Sequence, residues 1–463
     1  MIIRREGRLE HLESTPPTPA AEPITVGAAK STLLSTGTAL LTKLLDAPTL
    51  FVLVVRNDLP SAAAIVAASR LQHVCVLLPA SRISLLEYTI ATTGAAVVVD
   101  ATAGTIQRLE RPKVEWPSTL RGGGVCMLTS GSTGTPKVVA CTWASMLAQG
   151  DATQQCLFPT RPVRFVLASS IAHAYAINAL FAILTSPYGD TSELCMAGRM
   201  DTLVPLLATP APAFATVVFG TPGTFVPLAR LSATPLHADY TYSAGVSLPT
   251  DLQALLRDNF GLTVLQNYGS TETGGIAAGG LSQLTEVHHA SLPLAGALWP
   301  GTDMRVLPPA KGMVCRAGED GELVVRTPWQ CTGYVVDRAL VGISADGYYR
   351  TSDGGAVVDG HAFIGERLRS PVRFRHGNFN LFVPPHEIED AIRTHPRISD
   401  VLIPFVEAKP DRVVLLVVTT LAVHEVGAHC LATLPSFVTN LDIRKVDHLA
   451  CSAAGKLLYS IAH

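Results

Sequence analysis

Between Leu50 and Asp100 the chain alternates two textures. "LFVLVV", "VCVLL" and "AAVVVD" are short apolar runs rich in β-branched residues, and "PSAAAIVAASRL" and "SLLEYTIATTG" lie between them with helix-forming composition. Strands separated by helices do not pair as hairpins. Each crossover returns the next strand parallel to the last, so the pattern predicts a parallel sheet of the α/β class. The alternation resumes in "RFVLASS", "INALFAILTS", "TVVFG" and "LPTDLQALLRDNF", which leads into "LTVLQNYG". Beyond Gly296 short strands with Gly/Pro turns, as in "DGELVVRTP", predict a β-rich subdomain. "PPHEIEDAIRTH", "DVLIPFVE" and "RVVLLVVTT" then predict a small α+β unit. The prolines of "STPPTPAAEP" predict an extended arm over residues 15–23.

The 35 basic and 37 acidic residues leave a formal charge of −2, which argues against a broad nucleic-acid or anionic-membrane surface and points to small-molecule chemistry. No run approaches the roughly 18 uninterrupted apolar residues of a membrane span, so the most apolar stretches are expected to be buried strands. The N-terminus "MIIRREGRLEHLES" has no apolar signal core. Nine scattered cysteines without a C-x-x-C pair suit reduced thiols, and together these features predict a cytoplasmic protein.

One connection is chemically unusual. "LTSGSTGTPK" places Thr129, Ser130, Gly131, Ser132, Thr133, Gly134 and Lys137 between two apolar runs. Glycine lets a backbone approach a ligand closely, hydroxyls and N–H groups can surround phosphate oxygens, and Lys137 supplies positive charge at the rim. A Ser/Gly-rich surface turn fits the same composition. The loop is not a P-loop, because Lys137 lies between Pro136 and Val138 and no hydroxyl follows it to carry a metal. A metal ligand must come from elsewhere. "LQNYGSTETGG" offers one, with Tyr268, Thr271 and Glu272 in a turn after an apolar strand. Asp353 in "GYYRTSDGG" is suited to vicinal hydroxyls, Arg367 follows in "FIGERLR", and Lys456 stands in "SAAGKLL" near the C-terminus. Taken singly, each fits an ordinary turn or a solvated tail as well as a site.

In this order and spacing, the motifs resemble those of the adenylate-forming superfamily of acyl-CoA synthetases, luciferases and peptide-synthetase adenylation domains. The resemblance extends from about residue 50 to the C-terminus. With the polar, proline-rich N-terminus read as a partly disordered arm over 1–45, it implies an AMP-binding domain over 46–368 and a mobile C-terminal lid over 369–463. It also implies a two-step reaction in which a carboxylate attacks the α-phosphate of ATP with Mg2+, releasing pyrophosphate, and a thiol then displaces AMP. By the same resemblance the hydroxyl and glycine loop with Lys137 holds the β- and γ-phosphates, and Thr271 contacts the α-phosphate. Tyr268 belongs to the adenine motif, Glu272 ligates magnesium, and Asp353 and Arg367 grip the ribose. Lys456 bridges the reacting carboxylate and phosphate, and His173 in "SSIAHAYAINALF" lines the acyl site.

The substrate implied is a small carboxylic acid, with Tyr175, Ala244, Gly245 and Val246 suggesting a pocket for an aryl or medium acyl group. No carrier domain follows residue 463, so transfer is expected in trans, to coenzyme A or to the phosphopantetheine of an acyl carrier protein. The reading leaves monomer and homodimer open. Several positions depart from the family pattern, namely Ser352 and Ala176 in place of glycine, Ala450 in place of proline, and Ser370 and Pro371 after the expected hinge at Arg369. Proline restricts φ, which raises the prospect of a limited domain swing and of a catalytically impaired relative.

Overall fold

The computed structural model describes residues 2–3, 10–11, 29–45, 47–110, 118–129, 136–230, 235–245, 248, 250–279, 289, 292–309, 313, 315, 319–369, 372–376, 379–383, 385–404, 413–435, 438 and 440–451. The expected alternation is realised in two large sheets. In the first, Leu50–Val55 pairs in parallel with Val74–Pro79 and Val97–Asp100, and Val74–Pro79 in turn with Gly124–Thr129. Lys137–Thr142 then pairs antiparallel to Gly124–Thr129, and Gly333–Val336, from far along the chain, adds antiparallel to Lys137–Thr142.

The second sheet has eleven strands among the described residues. Glu193–Met196, Val163–Leu167, Ala215–Gly220, Tyr240–Ala244 and Val264–Ser270 run parallel. From Gly274–Ala278 onward the pairing becomes antiparallel, through Leu294–Leu298, His361–Arg367, Tyr349–Val358, Gly321–Arg326 and Asp303–Leu307. The expected β-rich subdomain is therefore hydrogen-bonded to the parallel half as one continuous sheet. The junction is the hairpin that carries Tyr268 and Glu272.

Two helices, Trp143–Leu157 and Ala174–Thr185, lie between the sheets. Trp143 stacks on Phe181 at 5.8 Å, and one apolar cluster joins Phe51, Leu53 and Met127 of the first sheet to Phe165, Phe219 and Leu265 of the second. Ala174–Thr185 buries nine of its twelve residues, as expected for a helix that is apolar all round. Both sheets are thus fixed against a common core, which sets where their loops meet.

A helix also forms at Lys30–Leu44, inside the segment read as an arm. It buries Leu33 and Leu41, and its Gly37 lies so near the helix Leu59–Arg70 that a Cβ there would sit 1.9 Å from the Ala63 carbonyl oxygen. The C-terminal part has its own apolar cluster, including Phe374, Ile388, Ile392, Val401, Leu415 and Val417. All nine cysteines are free thiols, and no helix among the described residues is long and apolar enough to cross a membrane.

Candidate active site

The turn between Val264–Ser270 and Gly274–Ala278 is held by its own hydroxyls and by a strap from Thr327 to Cys331. Ser270 N donates to Thr273 Oγ1 and Thr273 N to Ser270 Oγ, each at 3.2 Å. Gly274 has φ +69°, the left-handed conformation for which glycine is suited. From the strap, Thr327 Oγ1 donates to the Thr273 carbonyl at 2.7 Å, Trp329 Nε1 to the Gly275 carbonyl at 3.1 Å, and Cys331 N to the Glu272 carbonyl at 2.7 Å. Gln149, from the helix between the sheets, accepts from Gly275 N at 3.0 Å. These contacts leave Glu272 only 7% exposed, with Oε1 accepting from the Tyr334 hydroxyl at 3.0 Å.

Tyr334 reaches Glu272 because its strand joins the first sheet. It lies opposite Val139, so Lys137, two residues earlier, shares its face, and the Lys137 ammonium stands 5.2 Å from the Tyr334 ring centre. Burial, and next the Glu272 charge, hold the Tyr334 phenol well above its ordinary value, so it remains a hydrogen-bond donor at neutral pH.

Asp353 is built differently. Its Oδ2 accepts from the Tyr268 hydroxyl at 2.7 Å and its Oδ1 from Arg367 at 3.3 Å, while Asp353 and Arg367 face each other on adjacent strands. Its own N–H donates to Thr351 Oγ1 at 3.0 Å. Ser352, at φ +59°, shapes the bulge beside it. That backbone is where glycine is favoured, which gives the departure at Ser352 a physical meaning. Buried Glu322 accepts from Ser352 N at 3.2 Å and from Arg350 Nε at 3.0 Å, and Leu368 N donates to the Ser352 carbonyl at 2.7 Å, holding the bulge from both sides. Burial first, then the Asp353 charge, raise the Tyr268 phenol far above its ordinary value. Burial, and next the Glu272 charge, raise the Tyr349 phenol above its ordinary value.

His173 stands just ahead of the apolar helix Ala174–Thr185 as its N-cap residue, its carbonyl accepting from Ala176 N at 3.0 Å and Ile177 N at 3.2 Å. Burial, and then the Arg82 charge, lower its imidazole below the usual value, leaving it neutral at pH 7. Tyr175 donates to the Tyr242 carbonyl at 3.1 Å and packs against Phe219 at 5.1 Å. Thr129 ends its strand half-buried and Lys137 begins the next exposed. Ser130, Gly131, Ser132, Thr133, Gly134, Val246, Ser370, Pro371 and Lys456 lie outside the described residues.

Among the described residues no group of three or more His, Cys, Asp or Glu gathers into a metal centre. A buried carboxylate with remaining acceptor capacity, held by a neutral phenol, fits magnesium, which is commonly bound by one or two carboxylates together with substrate phosphates.

The family model for AMP-binding enzymes matches residues 50–335. The chain belongs to that family. It is 30% identical over 175 residues to 4-coumarate--CoA ligase-like 4 of Oryza sativa subsp. japonica, covering 37% of this chain and 30% of that protein. It is 29% identical over 324 residues to feruloyl-CoA synthase of Amycolatopsis sp, covering 67% and 62%. The match to each of these relatives thus covers less than two thirds of its length. Among solved structures, ATP-bound MatB from Rhodopseudomonas palustris superposes with a TM-score of 0.67 at 18% identity, covering 92% of this chain and 91% of that one. MenE from Bacillus subtilis in complex with AMP gives 0.67 at 20% identity, covering 93% and 92%. These likenesses establish the fold.

Proposed function

We propose that the protein activates a carboxylic acid with ATP and passes the acyl group to a thiol. The observation that carries this reading is the pair of carboxylates, Glu272 and Asp353, each held by a tyrosine hydroxyl. Asp353, fixed by Arg367 and Tyr268, accepts from the ribose hydroxyls, and Glu272 holds the magnesium. Magnesium held by Glu272 would offset the charge of the triphosphate. Thr129, Ser130, Ser132, Thr133 and Lys137 bind the β- and γ-phosphates, with Gly131 and Gly134 allowing close approach, while Thr271 orients the α-phosphate. A carboxylate oxygen then attacks the α-phosphorus as the bond to pyrophosphate breaks, and Lys456 offsets the charge shared by the two reacting groups. In the second step the thiol sulfur attacks the acyl carbon, AMP departs with the carboxylate oxygen, and the thiol proton is lost. Neutral His173 lines the acyl site.

Coenzyme A is the acceptor proposed, because the curated relatives are named CoA ligases and synthases, and an aryl acid is proposed for the parallel reason. Residues 46–368 and 369–463 would form the two catalytic bodies. Two arginines support this division. Arg367 pairs with Asp353, and Arg369, only 6% exposed, makes a bidentate pair at 2.7 Å with buried Glu389. The hinge is accordingly proposed at Arg369, where the second body begins.

Carboxylate-dependent exchange of labelled pyrophosphate into ATP, across aryl, short-chain and long-chain acids, tests the reading. Exchange is expected with an aryl acid and is expected to fall about 100-fold or more in Lys456→Ala. ATP binding without exchange for any acid would overturn it in favour of a nucleotide-binding relative without adenylation.

A further inference from the structure

Tyr334 touches both charged groups assigned to the triphosphate. Its hydroxyl donates to Glu272 Oε1 at 3.0 Å, and the face of its ring lies 5.2 Å from the Lys137 ammonium, within cation–π range. Neither contact is needed to cover the core, since Tyr334 is only partly buried and packs at the margin of the main cluster. Its backbone is fixed nonetheless. Gly333 pairs with Ala140, Thr332 N donates to the Ala140 carbonyl at 2.8 Å, and Cys331 N donates to the Glu272 carbonyl at 2.7 Å. One short segment therefore holds Glu272 twice, by its backbone and, three residues on, by its carboxylate.

A glutamate carboxylate rotates broadly about its last torsion, so burial alone does not aim it. Pinning Oε1 directs the remaining lone pairs to one side. A tyrosine achieves this without adding positive charge, whereas a lysine or arginine at the same place would compete with a divalent cation for the carboxylate. Among the described residues no basic side chain forms an ion pair with Glu272. Lys137 contacts the π face of Tyr334 and is thereby kept on the same side of the site. The spacing between the anionic metal ligand and the cationic phosphate ligand is then set by one rigid ring.

We propose that Tyr334 is a positioning residue for the metal–triphosphate group, aiming Glu272 through its hydroxyl and Lys137 through its ring; this rests on the reading of Glu272 as the magnesium ligand. Mn2+ binding, followed by electron paramagnetic resonance in the presence of a non-hydrolysable ATP analogue and without acid substrate, tests it apart from turnover. Tyr334→Phe is expected to weaken Mn2+ binding about 5- to 10-fold, the effect of losing one hydrogen bond to a charged group, while metal-free binding of the analogue changes less than about twofold. Tyr334→Leu is expected to weaken the metal-free binding as well, about 2- to 5-fold, because Lys137 loses the ring. Glu272→Gln separates the two levels. If Glu272→Gln weakens Mn2+ binding and Tyr334→Phe leaves it unchanged, the positioning role is overturned. If Glu272→Gln leaves it unchanged, the metal reading falls and the proposal falls with it. Tyr334→Phe leaves one acceptor of buried Glu272 unmet and is expected to lower Tm modestly; a lowered Tm with Mn2+ affinity unchanged would mark the tyrosine as structural only.

Discussion

Asp353 and Glu272 both accept a hydrogen bond from a tyrosine, yet their charge environments differ. Arg367 shares Asp353 with Tyr268, so the negative charge there is already met by a guanidinium. Such a carboxylate retains acceptor capacity for neutral hydroxyls and gains little from a second cation. Glu272 is more deeply buried and is held only by the neutral phenol of Tyr334 among the described side chains. A buried charge without a cationic partner is costly, and a metal ion relieves that cost directly. Under the proposed function, the identity of the second partner among the described residues, arginine or none, separates the proposed ribose carboxylate from the proposed metal carboxylate.

The comparison breaks most visibly at Glu272. Glu272→Gln keeps shape and removes charge, and pyrophosphate exchange at fixed Mg2+ is expected to fall about 100-fold, with partial recovery at high Mg2+. Asp353→Asn is expected to raise KM for ATP about 10-fold with the Mg2+ midpoint unchanged, so a shift in the midpoint would erase the distinction. Tyr268→Phe removes one hydrogen bond to Asp353, and calorimetric titration is expected to show ATP binding weakened about 5-fold, near 1 kcal/mol. Ser352→Gly relieves a residue at φ +59° and is expected to raise stability by less than about 1 kcal/mol, seen as a small increase in Tm with ATP binding retained.

The sequence made one side of this comparison more legible than the other. Asp353 and Arg367 lie in short motifs whose order pointed to ribose, and they face each other on two adjacent strands in register, while Tyr268, from the motif read as adenine-binding, reaches Asp353 from a separate strand. Glu272 also stood in a motif that the sequence singled out. Its partner did not, because Tyr334 belongs to a strand that crosses to the first sheet, and no local pattern marks that return. The Thr327–Cys331 strap and Gln149 were missed for the same reason, being contacts between distant segments. Helix Lys30–Leu44 was hidden by its Thr and Gly content, which is poor for an isolated helix. Its Gly37 instead permits close packing on the alanine-rich helix Leu59–Arg70, where tertiary contact outweighs propensity.

The most direct measurement is pyrophosphate–ATP exchange with an aryl acid, titrated separately in Mg2+ and in ATP, for wild type, Glu272→Gln and Asp353→Asn. Two carboxylates with different duties predict that Glu272→Gln moves the Mg2+ midpoint and Asp353→Asn moves the ATP midpoint, each leaving the other in place. Both variants moving both midpoints together would contradict the division of labour between the two tyrosine-held carboxylates.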